Sequence, residues 1–167
     1  MEIVIFDFKT DTIKSMITKD QILEFQDKWG SGIIRIGKTY KDGGDVLNEA
    51  KDFISRLYAY ETETVFFKPT LASHIQFRLD KDAALSYFIG GNLDFPEDEG
   101  FAIKEWDSIS WDNVGIKIDV DTAICMGNYY FGKENEEDLK VEYSIVLKIS
   151  DSGLKMILHD SHLPYQK

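Results

Sequence analysis

The chain has 167 residues, of which 30 are acidic and 19 are basic, so its formal net charge is −11. This excess of carboxylates argues against nucleic acids and anionic membranes as partners, because phosphate binding needs clustered Lys and Arg side chains. The single cysteine, Cys125, excludes an internal disulfide and a multi-cysteine zinc site. The sequence has no apolar run of about 18 residues and no signal-peptide pattern, so we expect a cytoplasmic globular protein.

The N-terminal residues predict a strand ahead of the main domain. Residues 2–8, with the sequence EIVIFDF, are typical of a strand because β-branched and aromatic side chains dominate them. We assign residues 1–15 to a strand-like N-terminal extension. Residues 16–167 are assigned to one domain, because neither a linker nor an internal repeat interrupts them.

Two amphipathic helices are predicted next. Thr18 and Gln21 form a capping-box pattern, which marks the start of a long helix. The sequence Gly43-Gly44 ends this helix, and Asp45 caps the second one. Apolar side chains in steps of three and four form the buried stripe of the first helix, at Ile22, Phe25, Trp29, Ile33, Ile36 and Tyr40.

The middle of the chain predicts a short strand and a short helix. Residues 64–70, TVFFKPT, are typical of a strand that Pro69 stops. Residues 74–79, HIQFRL, alternate between apolar and polar side chains and predict either another strand or a continuation of the first. Asp80 then caps a third helix at residues 81–89.

The last third of the chain changes to the period of two that is typical of strands. In residues 114–120, VGIKIDV, the apolar positions predicted to share one face are Val114, Ile116, Ile118 and Val120. Further strands are predicted at residues 122–131, 140–149 and 154–160. Helices followed by a meander predict an α+β protein with its N-terminal helices packed on a curved antiparallel sheet.

Six strings spread over about residues 18–165 carry a resemblance to a known superfamily. They are WGSGIIRIGKTY, FFKPT, FRLDKDAALSYFIGGNLDFPEDEGFA, MGNYYF, KVEYS and ILHDSHLPY. The chain resembles the nuclear transport factor 2-like superfamily, also described as SnoaL-like or as a cystatin-like cone. Within it, the chain is similar to an uncharacterised bacterial subgroup whose last strand ends like LHHSSLPY, and it departs from that ending at Asp160 and His162. The resemblance implies a cone-shaped fold, a pocket between its elements and a homodimer.

The sequence HDSH near the C-terminus is the first candidate for chemistry. If Leu158 faces the core, strict alternation puts Asp160 and His162 on the core face and His159 and Ser161 on the opposite face. An Asp–His pair can act as a general base, because a carboxylate orients and charges an imidazole near neutral pH. The alternative is a strand end with local hydrogen bonds and subunit contacts. The catalytic candidates are Asp160, His162, His159 and Tyr143.

Further side chains are candidates for lining a ligand pocket. Lys68 and Arg78 stand inside apolar runs and could hold a carboxylate or phosphate, or else lie at solvated edges. Tyr143 and Asn128 lie on neighbouring predicted strands, where they could polarise a carbonyl or simply satisfy each other. The complete set of pocket candidates is Trp29, Lys68, Arg78, Trp106, Asn128 and Tyr143.

We expect no metal and no organic cofactor. The acidic loop DFPEDEG, residues 94–100, lacks the alternating oxygen ligands of a calcium loop. The function favoured by the sequence is a homodimeric small-molecule-binding protein, which pairs through a sheet face and takes a small, anionic ligand. The alternatives are a cofactor-independent isomerase, dehydratase or hydrolase with an acid–base pair, and a pure oligomerisation module.

Overall fold

The computed structural model describes residues 16–167, and within that range three helices pack on a five-stranded sheet. The α+β class is therefore confirmed, whereas the strand predicted at residues 2–8 lies outside the described residues. None of the described helices is long and apolar enough to cross a membrane. The helices are α1 (Lys19–Lys41), α2 (Val46–Leu57) and α3 (Lys81–Ile89), with a 3-10 turn at Ala102–Lys104; the strands are β1 (Phe66–Lys68), β2 (Ser108–Ile118), β3 (Thr122–Gly132), β4 (Leu139–Ser150) and β5 (Gly153–His162).

The helices begin at the residues whose side chains can cap them. The Thr18 hydroxyl accepts from the Gln21 amide at 3.2 Å, and the Gln21 side chain accepts from the Thr18 amide at 2.8 Å. Asp45 and Asp80 accept from the backbone amides three residues ahead, at the starts of α2 and α3. Each cap satisfies amides that have no partner inside the helix, so the sequence alone fixes these starts.

A glycine allows α1 and α2 to pack closely. A Cβ atom at Gly32 would lie 2.5 Å from Cδ2 of Phe53, a distance that atoms in contact do not reach. Phe53 is fully buried among the rings of Trp29, Tyr58 and Phe88. Glycine at position 32 lowers the helix propensity of α1, but it allows α2 to approach closely.

The sheet is mixed, with the strand order β1-β5-β4-β3-β2. Strands β2 to β5 form the predicted antiparallel meander. Strand β1, however, runs parallel to β5 and pairs Phe67 with His159 and Lys68 with Asp160. The sheet is antiparallel as predicted except at this edge, because the chain passes through α3 and three strands before β5 returns to β1, and such long crossovers permit parallel pairing.

Residues 74–79 do not form the predicted strand. The backbone amides of Ser73, His74 and Ile75 donate instead to the carboxylate of Glu97, at distances between 2.8 and 3.1 Å. These hydrogen bonds lower the pKa of Glu97 to about 2. The Glu97 carboxylate from the acidic loop thus accepts from backbone amides that would have to donate to a neighbouring strand if residues 74–79 formed one.

The face predicted for β2 is right at Ile116, which packs against the core, but wrong at Val114. A bulge between Asn113 and Gly115 interrupts the pairing of β2 with β3. Val114 consequently points to solvent and is 75% exposed, and Val120 lies beyond the end of the strand and is exposed as well. One extra residue inverts the alternation on the two sides of a bulge, which strict period-two reasoning does not anticipate.

Candidate active site

A second bulge decides which residues of β5 face the interior. Leu147 pairs with Met156 whereas Val146 pairs with Leu158, so Ile157 is an extra residue between them. His159 and Ser161 therefore face the core and are 2% and 1% exposed.

The same bulge turns Asp160 and His162 outward. They lie on the other face of the sheet, where their side chains are 44% and 51% exposed. His162 lies near Glu142 there, at 3.9 Å between Nε2 and Oε2. The face assignment derived from the sequence is inverted for all four residues of HDSH, because strict alternation does not survive the extra residue.

His159 and Ser161 border a small interior cavity. The cavity volume is about 10 Å³, close to the space that one water molecule needs, so a larger ligand requires the surrounding side chains to move. Rings from α1, β1, α3 and the segment before β2 form apolar walls, while hydroxyl groups and the imidazole supply polar atoms. The lining residues are Trp29, Phe67, Thr70, Tyr87, Phe88, Phe101, Tyr129, His159 and Ser161.

Both nitrogens of the His159 ring have tyrosine partners. The Tyr58 hydroxyl lies 2.9 Å from Nδ1, and the Tyr129 hydroxyl lies 3.2 Å from Nε2. The Phe67 ring stacks on the imidazole at 5.0 Å between centroids, with 14° between the planes. The edge of the Trp29 ring packs against it as well. These contacts fix the orientation of the imidazole.

Hydroxyl groups supply the remaining polar atoms of the cavity. The Thr70 and Ser161 hydroxyls form a hydrogen bond of 2.9 Å, and both lie near the Tyr129 hydroxyl. The Tyr87 hydroxyl is buried close to the Leu71 backbone and the Thr70 hydroxyl, both of which lower its pKa, but it meets neither with full hydrogen-bond geometry. A buried, unpaired hydroxyl is costly, so it marks a place where a ligand or water can bind.

The polar groups of the cavity are neutral near pH 7. Burial lowers the pKa of His159 to about 3, because the imidazolium loses its hydration in the interior. Burial likewise raises the pKa values of Tyr87 and Tyr129 well above their usual value. The site therefore offers neutral hydrogen-bond donors and acceptors and no fixed charge.

The two basic pocket candidates contact protein groups. The Arg78 guanidinium is fully buried, forms an ion pair with Asp98 at 2.7 Å and stacks over the Phe95 ring at 4.2 Å. Lys68 donates to the carbonyl of Ser161 at 3.0 Å. Arg78 thus holds the acidic loop to the domain, and Lys68 ties the edge strand β1 to the end of β5.

The other candidates are distributed over the domain. Trp29 lines the cavity, as described above. Tyr143 donates to Asn113 at 2.7 Å in a separate buried network, and Asn128 pairs with Glu142 on the outer face of the sheet. Trp106 is buried, and its indole donates to a backbone carbonyl. Tyr143 and Asn128 therefore lie on opposite faces, which excludes the polar pair considered from the sequence.

Sequence reasoning missed four of the residues in and around the cavity, namely Tyr58, Thr70, Tyr87 and Tyr129. The available signal was a hydroxyl within an apolar pattern, since Tyr87 stands in the apolar α3 and Tyr129 in a core-facing position of β3. A buried hydroxyl needs a partner, and several of them in one core indicate a polar site. Among residues 16–167, no group of three or more His, Cys, Asp or Glu side chains could hold a metal ion.

Comparison with known proteins identifies the family. A family model described as metal-independent carbonic anhydrase matches residues 20–163. The chain belongs to the metal-independent carbonic anhydrase family. A protein of that name from Nostoc sp. is 35% identical over 163 residues, which are 95% of this chain and 80% of the Nostoc protein.

Solved structures agree with the family and with the fold. The crystal structure of the iota-carbonic anhydrase from a cyanobacterium, complexed with bicarbonate, is 33% identical, has a TM-score of 0.89, and the match covers 95% of this chain and 99% of that one. A nuclear transport factor 2-like protein from Shewanella oneidensis is 14% identical with a TM-score of 0.52, covering 87% and 99% of the two chains. The second likeness shows the fold alone, and it confirms the cone fold expected from the sequence.

The family membership corrects the function derived from the sequence. The favoured prediction was an uncharacterised ligand-binding protein, with an isomerase, dehydratase, hydrolase or oligomerisation module as alternatives. The family model, the Nostoc relative and the cyanobacterial structure all identify carbonic anhydrases instead, which are enzymes with one specific reaction. Composition and strand patterns carry no information about which reaction a cone-fold cavity performs.

Proposed function

We propose that this protein catalyses the reversible hydration of carbon dioxide to bicarbonate in the interior cavity beside His159. The observation that carries the proposal is the enclosed set of neutral hydroxyls and apolar rings in a member of this family. The bicarbonate held by the cyanobacterial relative supports a small anion as the ligand. Apolar walls suit carbon dioxide, which is uncharged, whereas the hydroxyls suit water and bicarbonate.

Hydroxyl groups can carry the proton transfer. As a water oxygen forms its bond to the carbon of carbon dioxide, a hydroxyl of Thr70 or Ser161 accepts one proton of that water. The same hydroxyl passes its own proton to an oxygen of the former carbon dioxide. The product is carbonic acid, which ionises to bicarbonate and a proton in bulk water, so the hydroxyl ends unchanged and atoms and charge balance.

This assignment follows from the protonation states in the site. A His159 whose pKa is about 3 cannot hold a proton at neutral pH, so it is a poor general base. A hydroxyl, in contrast, donates and accepts at once without becoming charged. The buried Tyr87 hydroxyl can donate to the oxygen on which negative charge develops, and preorganised donors of this kind lower a barrier most in a water-excluded site.

The test is the rate of carbon dioxide hydration, followed by stopped-flow with a pH indicator, for the wild type and for Tyr87→Phe. We expect Tyr87→Phe to reduce kcat/KM about 100-fold, the usual effect of losing one such donor. The free energy of unfolding should change by less than about 1 kcal/mol, because the Tyr87 hydroxyl makes no hydrogen bond of full geometry with the Leu71 backbone or the Thr70 hydroxyl.

The matched control is Tyr60→Phe, which removes a hydroxyl bonded to the Arg78 carbonyl away from the cavity lining. This variant should keep the wild-type rate. A wild-type protein without hydration activity would refute the proposed function. Equal rates for Tyr87→Phe and wild type would refute the role of Tyr87 as a hydrogen-bond donor in the reaction.

We also propose that the protein forms a homodimer through the outer face of its sheet. Ile124 and Met126 lie on that face and are 50% and 55% exposed, and Val146 and Leu158 pair in register beside Ile124. An exposed apolar patch with a polar rim is typical of a subunit interface.

Native mass spectrometry tests the dimer. The wild type should have twice the chain mass, and Ile124→Glu should be monomeric because it puts a charge into the patch. Val120→Glu changes an exposed apolar residue beyond the end of β2 and should remain dimeric. A monomeric wild type would refute the interface. The cytoplasmic location expected from the sequence stays a prediction.

A further inference from the structure

A chain of four buried side chains leads from α1 to the cavity. The Trp29 indole nitrogen donates to the Tyr58 hydroxyl at 3.0 Å. The Tyr58 hydroxyl is 2.9 Å from Nδ1 of His159, and Nε2 of the same ring is 3.2 Å from the Tyr129 hydroxyl. All four side chains are at most 2% exposed, so water does not complete their hydrogen bonds from outside.

The chemistry of the first member gives this chain a direction. An indole nitrogen is a donor only, so Trp29 must donate and the Tyr58 oxygen must accept. The single hydroxyl hydrogen of Tyr58 then has His159 Nδ1 as its available partner. If Nδ1 carried the proton, the Tyr58 oxygen would accept twice and its own hydrogen would be buried without an acceptor, which is costly. Nδ1 is therefore the acceptor, and the ring proton is on Nε2.

We infer that Trp29 and Tyr58 are positioning residues that hold His159 as its Nε2-protonated tautomer, so that the imidazole donates towards the cavity. This inference deepens the proposed function and rests on it for its catalytic meaning. Neither Trp29 nor Tyr58 is assigned to the reacting atoms: Trp29 touches the cavity only through its ring, and both act through His159.

The direction of the hydrogen bonds from Trp29 to His159 determines which proton transfers His159 can take part in. With its Nε2 proton directed at the Tyr129 oxygen, His159 has no lone pair facing the cavity and cannot remove a proton from water there. Tyr129 accepts that bond, which leaves its own hydrogen for the Thr70 and Ser161 hydroxyls or for a bound oxygen. The row of hydrogen bonds thus ends at the Tyr129 hydroxyl as a polarised donor. Such a donor stabilises the oxygens of bicarbonate and the negative charge that forms on carbon dioxide.

Nitrogen-15 NMR of the histidine rings tests the tautomer without relying on activity. The chain contains three histidines, and comparison with His159→Gln identifies the signals of His159. We expect Nε2 to have the shift of a protonated nitrogen and Nδ1 that of an unprotonated one throughout pH 5 to 8. A protonated Nδ1, or an imidazolium in this range, would overturn the inference.

The variant Tyr58→Phe tests the positioning role, since it keeps the ring and removes the hydroxyl. We expect the two nitrogen shifts of His159 to move towards each other as the tautomers mix, and kcat to fall about 10-fold with little change in KM. The control is Tyr60→Phe, because the Tyr60 ring stacks against Tyr58 at 5.9 Å between centroids. It should change neither the nitrogen shifts of His159 nor kcat. Unchanged shifts and kcat in Tyr58→Phe would refute the role.

The two proposals fail separately. An inactive wild type with the Nε2-protonated tautomer would refute the proposed function but leave the tautomer assignment standing. An active wild type with the proton on Nδ1 would refute the tautomer assignment but leave the proposed function standing. If Tyr58→Phe does not fold, the wild-type spectrum alone still decides the tautomer.

Discussion

Acidification should weaken this protein through His159, even though that residue is hidden from solvent. The folded state holds His159 with a pKa of about 3, whereas an unfolded histidine has a pKa of about 6.5. Below pH 6.5 the unfolded chain therefore binds a proton that the folded state refuses. The stability due to neutral His159 is fully present above pH 6.5 and is lost as the pH falls towards 3.

The size of the effect follows from the two pKa values. Proton linkage with 6.5 in the unfolded state and about 3 in the folded state gives a loss of about 2.5 kcal/mol between pH 7.0 and pH 4.5. The full loss at lower pH approaches about 5 kcal/mol. A single domain is commonly stable by about 5–15 kcal/mol, so one histidine can decide whether this protein survives at pH 4.

The assay is urea unfolding at pH 7.0, 6.0, 5.0 and 4.5 for the wild type and His159→Gln. Glutamine does not titrate, so the wild type should lose about 2.5 kcal/mol more than the variant over this range. Groups such as Glu97, whose pKa of about 2 also makes the fold sensitive to acid, affect both proteins equally and cancel in the comparison.

Parallel losses in the two proteins would refute the reasoning, because they would mean that His159 is protonated in the folded state or does not titrate on unfolding. If His159→Gln does not fold, direct NMR titration of the wild type replaces it. His159 should then stay neutral down to about pH 4, and protonation near pH 6 would contradict its burial.

Two further predictions concern stability and are read from urea unfolding at pH 7. Gly32→Ala should destabilise the protein by about 1–3 kcal/mol, because the collision with Phe53 outweighs a helix-propensity gain of about 1 kcal/mol. The control is Gly30→Ala on the same helix, which has ordinary contacts and should be neutral or stabilising. Equal effects of the two substitutions would contradict this prediction. Asp98→Asn should cost about 1.5–3 kcal/mol, because the buried Arg78 guanidinium loses its carboxylate partner at 2.7 Å and keeps only Glu97 at 3.7 Å. A cost below about 1 kcal/mol would show that Arg78 does not hold the loop through this pair.

Features that depend on neighbouring residues could be predicted from the sequence. The helix starts at Thr18, Asp45 and Asp80 were correct, because a cap needs only a side chain and the amides two or three residues ahead. The succession of helices and antiparallel strands also followed from local periodicity, and it gave the α+β class. Strings spread along the chain were enough to indicate the cone fold.

The candidate site was only partly predictable. Trp29 and His159 were among the sequence candidates and do border the cavity, but Thr70, Tyr87 and Tyr129 were not recognised. These residues come from the segment after β1, from α3 and from β3, which lie far apart along the chain. No local pattern relates them, and only the packing of α3 and β5 around one space brings their hydroxyls together.

The faces of the strands show most clearly what the tertiary structure decided. The sequence determined that β2 and β5 are strands, since that needs only a period of two. It could not determine which side chains of β5 point inward, or that Val114 of β2 points outward, because the bulges at Val114 and Ile157 add one residue each to their strands. A one-residue shift moves every later side chain to the opposite face. Where a strand accepts such a residue depends on its partner strand, and for that reason the position of His159 in the interior was settled only when the sheet formed.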